Sequence, residues 1–191
     1  MAEAVTRRRF TIEEYHRMGE AGILRDDERL ELIAGHIVVR EPIGSRHAGT
    51  VERVNRLWTL RLADRAIVRV QNPVVLPHEA SELQPDVMLL APRGDFYMAA
   101  HPTPADVLLL IEVADTSLLL DRRVKMPLYA RAGIREAWLC DLTTDRVDVH
   151  RDVTGGRYAS VRTFTSAQRL TVEAFPDLSV AVGDLLGTPS S

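Results

Sequence analysis

Apolar positions change period several times along this chain, and each change marks an element. Val51, Val54, Trp58 and Leu62 recur every three or four residues, which winds them into one stripe of a helix beginning at Ser45 or His47, with Arg53 and Arg56 turned away. Val87-Met88-Leu89-Leu90 and the segment from Ala105 to Val113 are almost unbroken apolar runs, the pattern of strands buried on both faces. Leu178, Val180 and Val182 alternate as a half-buried strand does, ahead of a short turn of helix over Gly183 to Leu186.

The shorter elements follow from turn and cap chemistry. Phe10-Thr11-Ile12-Glu13-Glu14-Tyr15 starts a helix: Thr11 caps it, Glu14 reaches back to close a capping box, Phe10 staples onto Tyr15, and Gly19 and Gly22 break it. Arg29 to Ile33 and His36 to Arg40 are strands joined at Ala34-Gly35, a two-residue hairpin connection. Ile67 to Val70 and Val74 to Leu76 are β-rich, His78 to Gln84 reads as a polar turn, and Ala91 to Pro104, with three prolines and a glycine, reads as a loop. Thr116 or Ser117 caps a helix on which Asp121 and Lys125 stand four apart on one face; Pro127 kinks or restarts it and Gly133 ends it. Glu136 to Leu142 and Arg146 to Arg151 make a hairpin around Thr143-Thr144-Asp145, a strand follows near Arg157 to Phe164, and Thr188 to Ser191 is a loose end. The expected class is α/β (α+β): a mixed sheet flanked by helices in one domain over residues 1–191, with a core from about 10 to 187.

Composition narrows the function. With 46% hydrophobic and 27% charged residues and no run of about 20 apolar positions, the chain fits no membrane span. Arg7-Arg8-Arg9 leads into a polar, acidic helix and not into the apolar core of a signal peptide, and a lone Cys140 in an apolar strand forms no internal disulfide, so a cytoplasmic location is expected. The balance of 24 Lys+Arg against 27 Asp+Glu, formally -3, is not that of a protein that coats nucleic acid, and it keeps an enzyme acting on something small in view. A basic rim around an acidic site is compatible with the same total. No His-Glu-x-x-His, paired cysteines, Gly-x-Ser-x-Gly or Gly-x-x-x-x-Gly-Lys occurs, which removes zinc-protease, serine-hydrolase and P-loop readings.

The residues that carry chemistry interrupt the buried runs. Asp86 opens one apolar run and Glu112 ends another, and a buried charge is costly unless paired or bound to a metal. Two hard carboxylates suit Mg²⁺ or Mn²⁺, and Lys125 supplies a positive charge for a phosphate or its attacking water. Glu31, on the first hairpin strand, belongs beside the metal or orients its water; on an exposed face it would merely be solvated. His47 and Gln71 are possible substrate contacts, although a histidine at a helix start and a polar strand residue both have plainer uses. Asp121 with Lys125 also fits an ordinary helical ion pair worth a few tenths of a kcal/mol, roughly. Trp138 and Tyr129 read as core.

Pro85-Asp86-Val87, Ile111-Glu112-Val113, Asp121-Arg122-Arg123-Val124-Lys125, Tyr129-Ala130-Arg131-Ala132-Gly133-Ile134 and Trp138-Leu139-Cys140-Asp141 stand in order along the chain. Together with Glu31-Leu32-Ile33-Ala34-Gly35-His36-Ile37-Val38, Pro42 and His47, this set resembles the Uma-type family of restriction-endonuclease-like proteins in the PD-(D/E)XK nuclease superfamily, from about Glu13 to Leu186. The resemblance implies a restriction-endonuclease-like mixed sheet and Mg²⁺- or Mn²⁺-dependent hydrolysis of DNA. It also implies a metal held by Asp86, Glu112 and the Val113 carbonyl, with Glu31 and Lys125 completing the catalytic set. The lysine two residues after the second acid is replaced here by Ala114, so Lys125 supplies it from the following helix. Because enzymes that cut both strands often pair two sites, a homodimer is expected. The alternative is a weakly catalytic or inactive relative that binds nucleic acid or a protein partner.

Overall fold

The computed structural model describes residues 7–25 and 27–187; the loose end expected at 188–191 lies outside the described residues. Helix α1 (Ile12–Glu20) carries the full capping box: Glu14 N donates to Thr11 Oγ1, and Thr11 N donates to Glu14 Oε2. Strands β1 (Leu30–Ile33) and β2 (His36–Val39) form the expected hairpin, with Ile33 opposite His36. Both turn residues, Ala34 and Gly35, have positive φ, as a two-residue connection of this hand demands. At Gly35 a side chain is excluded twice over, because an added Cβ would stand 2.7 Å from Arg9 Cβ.

Helix α2 (Ser45–Leu62) buries the expected stripe of Val51, Val54, Trp58 and Leu62. Beyond it come β3 (Ile67–Val70), β4 (Val74–Leu76), β5 (Ser81–Leu83) and β6 (Val87–Leu90). The segment expected as a polar turn, His78 to Gln84, therefore contains a strand. Ser81 and Glu82 look like turn residues, yet all of β5 is buried between β1 and β4, and Ser81 Oγ accepts from Ala34 N at 2.8 Å. Tertiary pairing overrides local propensity here.

Strand β7 (Val107–Ala114) runs parallel to β8 (Ala137–Asp141), so the chain crosses over through helix between them. That crossover is α3 (Leu118–Leu120), a wide π turn over Asp121–Lys125, and α4 (Met126–Ala132), stopped by Gly133 at φ 87°. The kink expected from Pro127 takes the form of one extra residue in a turn: Met126 N donates to Asp121 O, five residues back, just before the residue that has no N–H to give. Strands β9 (Arg146–Thr154) and β10 (Arg157–Thr165) follow, then β11 (Arg169–Val172), β12 (Phe175–Ala181) and α5 (Val182–Leu186). The pairing of β11 with β12 was not expected from the sequence.

A six-stranded mixed sheet, ordered β10-β9-β8-β7-β6-β3, separates two cores. One face packs Val87, Leu89, Leu109, Ile111 and Trp138 against α2, α5 and the β11–β12 pair. The other packs Met88, Leu90, Leu110 and Leu139 against α4 and the four-stranded sheet β2-β1-β5-β4. The result is the mixed sheet flanked by helices that the sequence predicts. Cys140 is buried in β8, and burial pushes its thiol up to about 12, so it acts as a small hydrophobe. Among the described residues no helix is long and apolar enough to cross a membrane.

Candidate active site

Alternation along β7 puts Glu112 on the same face as Leu110 and Ala114, toward α4 and the second sheet. Val87 pairs with Ile111, so one step outward Asp86 comes opposite Glu112, and Val113 N donates to Asp86 Oδ2 at 2.8 Å. Val113 thus touches the site through its N–H. From the second sheet β1 delivers Glu31, whose Oε1 accepts from Gln84 N at 2.8 Å. From the crossover helix Lys125 Nζ reaches Glu31 Oε2 at 3.1 Å and Glu112 Oε1 at 3.4 Å. Glu31, Asp86, Glu112 and Lys125 are each at most 2% exposed, and all four line one cleft of about 520 Å³.

His47 and Gln71 also arrive here. Gln71, at φ 49°, donates from Nε2 to Asp86 Oδ1 at 3.2 Å, so it orients the carboxylate, and it is not among the residues that line the cleft. His47 projects from the first turn of α2 until its Nε2 is 3.0 Å from Asp86 Oδ2.

Three groups were not assigned to the site from sequence. Tyr129 is core, as expected, but its hydroxyl donates to Glu112 Oε1 at 2.5 Å; its place one turn after Lys125 was the available signal. Arg40 lies against Asp86 Oδ1 at 3.5 Å and Glu31 Oε1 at 3.8 Å. The hairpin register gave the clue, since Glu31 pairs with Val38 and same-face residues recur every second position. Asp121 corrects the reading as an ordinary helical ion pair: it is buried, 3.8 Å from Lys125 Nζ, and accepts from Ser117 Oγ at 2.5 Å.

Electrostatics follow from this crowding. Burial pushes Glu112 up to about 8, against the pull of Lys125 and with the push of Asp121, Asp86 and Glu31. Burial also raises Asp121. For Lys125 burial works against the charge, but Glu112, Glu31 and Asp121 outweigh it and hold the ammonium above its usual range. Lys125 is the only lysine in the chain; the other 23 cationic side chains are arginines.

Two side chains of the cleft could become neighbouring ligands of a divalent ion. Among the described residues His47 Nε2 is buried with no hydrogen-bond partner, because its approach to Asp86 Oδ2 is short but misaligned. That nitrogen and the carboxylate oxygen, which already accepts from Val113 N, lie 3.0 Å apart, the spacing of neighbouring ligands around a cation at about 2.1 Å from each. Among the described residues no three His, Cys, Asp or Glu side chains already surround one point, so a third ligand, Glu112 or Glu31, would have to loosen its contact with Lys125.

The sequence profile of the Uma2 family, described as "putative restriction endonuclease", matches residues 12–183. The chain belongs to this family. A crystal structure of a putative nuclease belonging to DUF820 from Anabaena variabilis superposes with a TM-score of 0.72 at 13% identity, over 94% of this chain and 98% of that one. That likeness establishes the shared fold. No protein among the curated ones matches the chain. For this Uma2-family chain, the match covers every site residue named above, from Glu31 to Tyr129.

Proposed function

We propose that this Uma2-family protein is a metal-dependent endonuclease that hydrolyses phosphodiester bonds in DNA. The observation that carries the reading is the meeting of Glu31, Glu112 and Lys125, beside Asp86, on the floor of one cleft. Buried acids gathered from two sheets around a single lysine are costly as mere packing, and their surplus negative charge suits a divalent ion.

In this proposal Asp86 and Glu112 hold Mg²⁺ or Mn²⁺ with the Val113 carbonyl, and His47 stands where it can join them. Such an ion, when bound, supplies Lewis-acid charge and lowers the pKa of water. Gln71 fixes the orientation of Asp86, Tyr129 that of Glu112. Lys125, freed in part from the carboxylates, positions the attacking water or neutralises the phosphate, with Glu31 steadying the ammonium. For a duplex cut on both strands, two copies of the site are needed, and a homodimer supplies them.

The test is cleavage of plasmid and single-stranded DNA with Mg²⁺ and Mn²⁺, alongside thermal melting with and without the ion. Metal should raise the melting temperature of the wild type, and Asp86→Asn should lose both that shift and the cleavage. A wild type that binds metal but cuts nothing across DNA and RNA substrates would favour the binding-only alternative, for which the hold of Lys125 and Arg40 on the acids already speaks.

A further inference from the structure

Arg40 emerges from β2 at the lip of the cleft, with its backbone N–H still tied to Arg29 O at 2.7 Å. Its side chain is only 14% exposed. Burial disfavours the guanidinium, and Glu31, Glu112 and Asp86 more than offset that, so it stays charged. The contacts are unequal. Nη1 donates to the main-chain carbonyl of Gln84 at 3.0 Å, a good hydrogen bond to a neutral group. Nη2 reaches Asp86 Oδ1 only at 3.5 Å, the outer limit of a hydrogen bond. One end of the guanidinium is therefore anchored to backbone, and the other rests loosely on the acid proposed to bind metal.

A guanidinium has five N–H donors and no acceptor. It can serve as counter-ion to Asp86 or stand beside a cation there, but it cannot help to ligate one. We infer that Arg40 is an exchangeable counter-cation: it neutralises Asp86 in the metal-free protein, is displaced from that carboxylate by the divalent ion, and then, still anchored on Gln84, presents its free N–H groups to a substrate phosphate. This rests on the nuclease reading above. The planar fork suits two oxygens of one phosphate, which a lysine at the same place would meet only as a point charge. The cleft already contains the other half of the exchange, since His47 Nε2, with no hydrogen-bond partner among the described residues, stands 3.0 Å from the same carboxylate.

The inference makes two predictions of opposite sign for one substitution. Removing a positive charge this close to the ion should tighten metal binding, so calorimetry with Mn²⁺ should give Arg40→Gln a dissociation constant about tenfold or more below wild type. The same variant should bind an oligonucleotide more weakly in Ca²⁺, with the slope of log affinity against log salt reduced by about one phosphate contact. Arg40→Lys should keep the wild-type metal affinity within about twofold, because the charge is retained, yet share part of the loss in nucleic-acid binding. Should Arg40→Gln fail to fold, Arg40→Lys and Arg40→Met carry the same comparison.

A merely structural arginine would lower the melting temperature without tightening the metal. Equal or weaker Mn²⁺ binding by Arg40→Gln overturns the exchange, and an unchanged salt slope overturns the phosphate contact. If neither wild type nor variant binds Mn²⁺, the metal centre itself is refuted and this inference falls with it, a result distinct from equal binding by both.

Discussion

Replacing Lys125 with methionine keeps most of its volume and removes its charge, which isolates the ammonium's part in holding the acids. Glu31, Glu112 and Asp121 all face Nζ within 4 Å, and all are buried. Breaking such a cluster by removing one partner typically costs about 3–5 kcal/mol. In a chain of this size each kcal/mol lowers the melting temperature by roughly 2–4 °C, so a fall of about 6–20 °C is expected at pH 8. The cost shrinks on acidification, because a buried carboxylate can take a proton in place of its lost partner. In the variant the Glu112 and Asp121 carboxyls, already raised by burial, rise further above their unfolded values, and each then binds a proton more tightly in the native state. Stability is thus highest below the unfolded value near 4.5 and is lost as pH rises through the folded one. Chemical denaturation of wild type and Lys125→Met from pH 5 to 8.5, with Lys125→Met/Glu112→Gln as the compensating double variant, measures this. The double variant should recover about 2 kcal/mol of the loss at pH 8. A single variant that loses under about 1 kcal/mol, with no pH dependence and no recovery, would refute the claim that Lys125 balances the acids.

In the wild type the raised Glu112 carboxyl alone should make stability fall between pH 4.5 and about 8, and denaturation of Glu112→Gln should show that slope flattened. Because Lys125 is the chain's single lysine, protein made with ¹³Cε-lysine should give one side-chain NMR signal, with no titration below pH 10 and a shift on adding Mg²⁺. Amine-selective reagents should leave that residue unmodified until the protein unfolds, as peptide mapping would read. Cys140, its thiol raised by burial to about 12, should likewise be inert to thiol reagents in the native state.

How much of this was legible beforehand depends on the range of the interaction. Capping at Thr11 and Glu14, the Ala34-Gly35 hairpin and the stripe on α2 are local patterns, and each appears where its residues predict it. Strand β5 was hidden because Ser81, Glu82 and Leu83 owe their strand to pairing with β1 and β4, not to their own propensity. At the site, Asp86 and Glu112 stood out as charges that interrupt apolar runs, while Glu31 was read from its hairpin strand and Lys125 from its helix and the ordered motifs. Arg40 and Tyr129 did not stand out, because each becomes a site residue only through elements distant in sequence: Asp86 is 46 positions from Arg40, and Glu112 is 17 from Tyr129. Asp121 was misread because i,i+4 spacing alone does not tell a surface pair from a buried one.

The charges of the cleft are best understood together. Glu31, Asp86, Glu112 and Asp121 bring four carboxylates to a region where Lys125 and Arg40 are the contacting cations with fixed charge. Four acids against two cations leave a surplus of two negative charges when all are ionised, and low-dielectric surroundings make any surplus expensive. Three responses can reduce it: protonation, a bound divalent cation, or water drawn into the cleft. The raised Glu112 carboxyl is the first of these, and it compensates only one charge. A divalent ion compensates two, and by doing so it would release Arg40 from Asp86 and the proton from Glu112 together. Metal uptake should therefore grow stronger as pH rises toward 8 and should release a proton below it, the reverse of what a cleft built only to pair its own charges would do. Calorimetric titration of Mn²⁺ in two buffers of different ionisation enthalpy measures that proton directly, and an ion bound at pH 7 with none released would refute this account of the surplus.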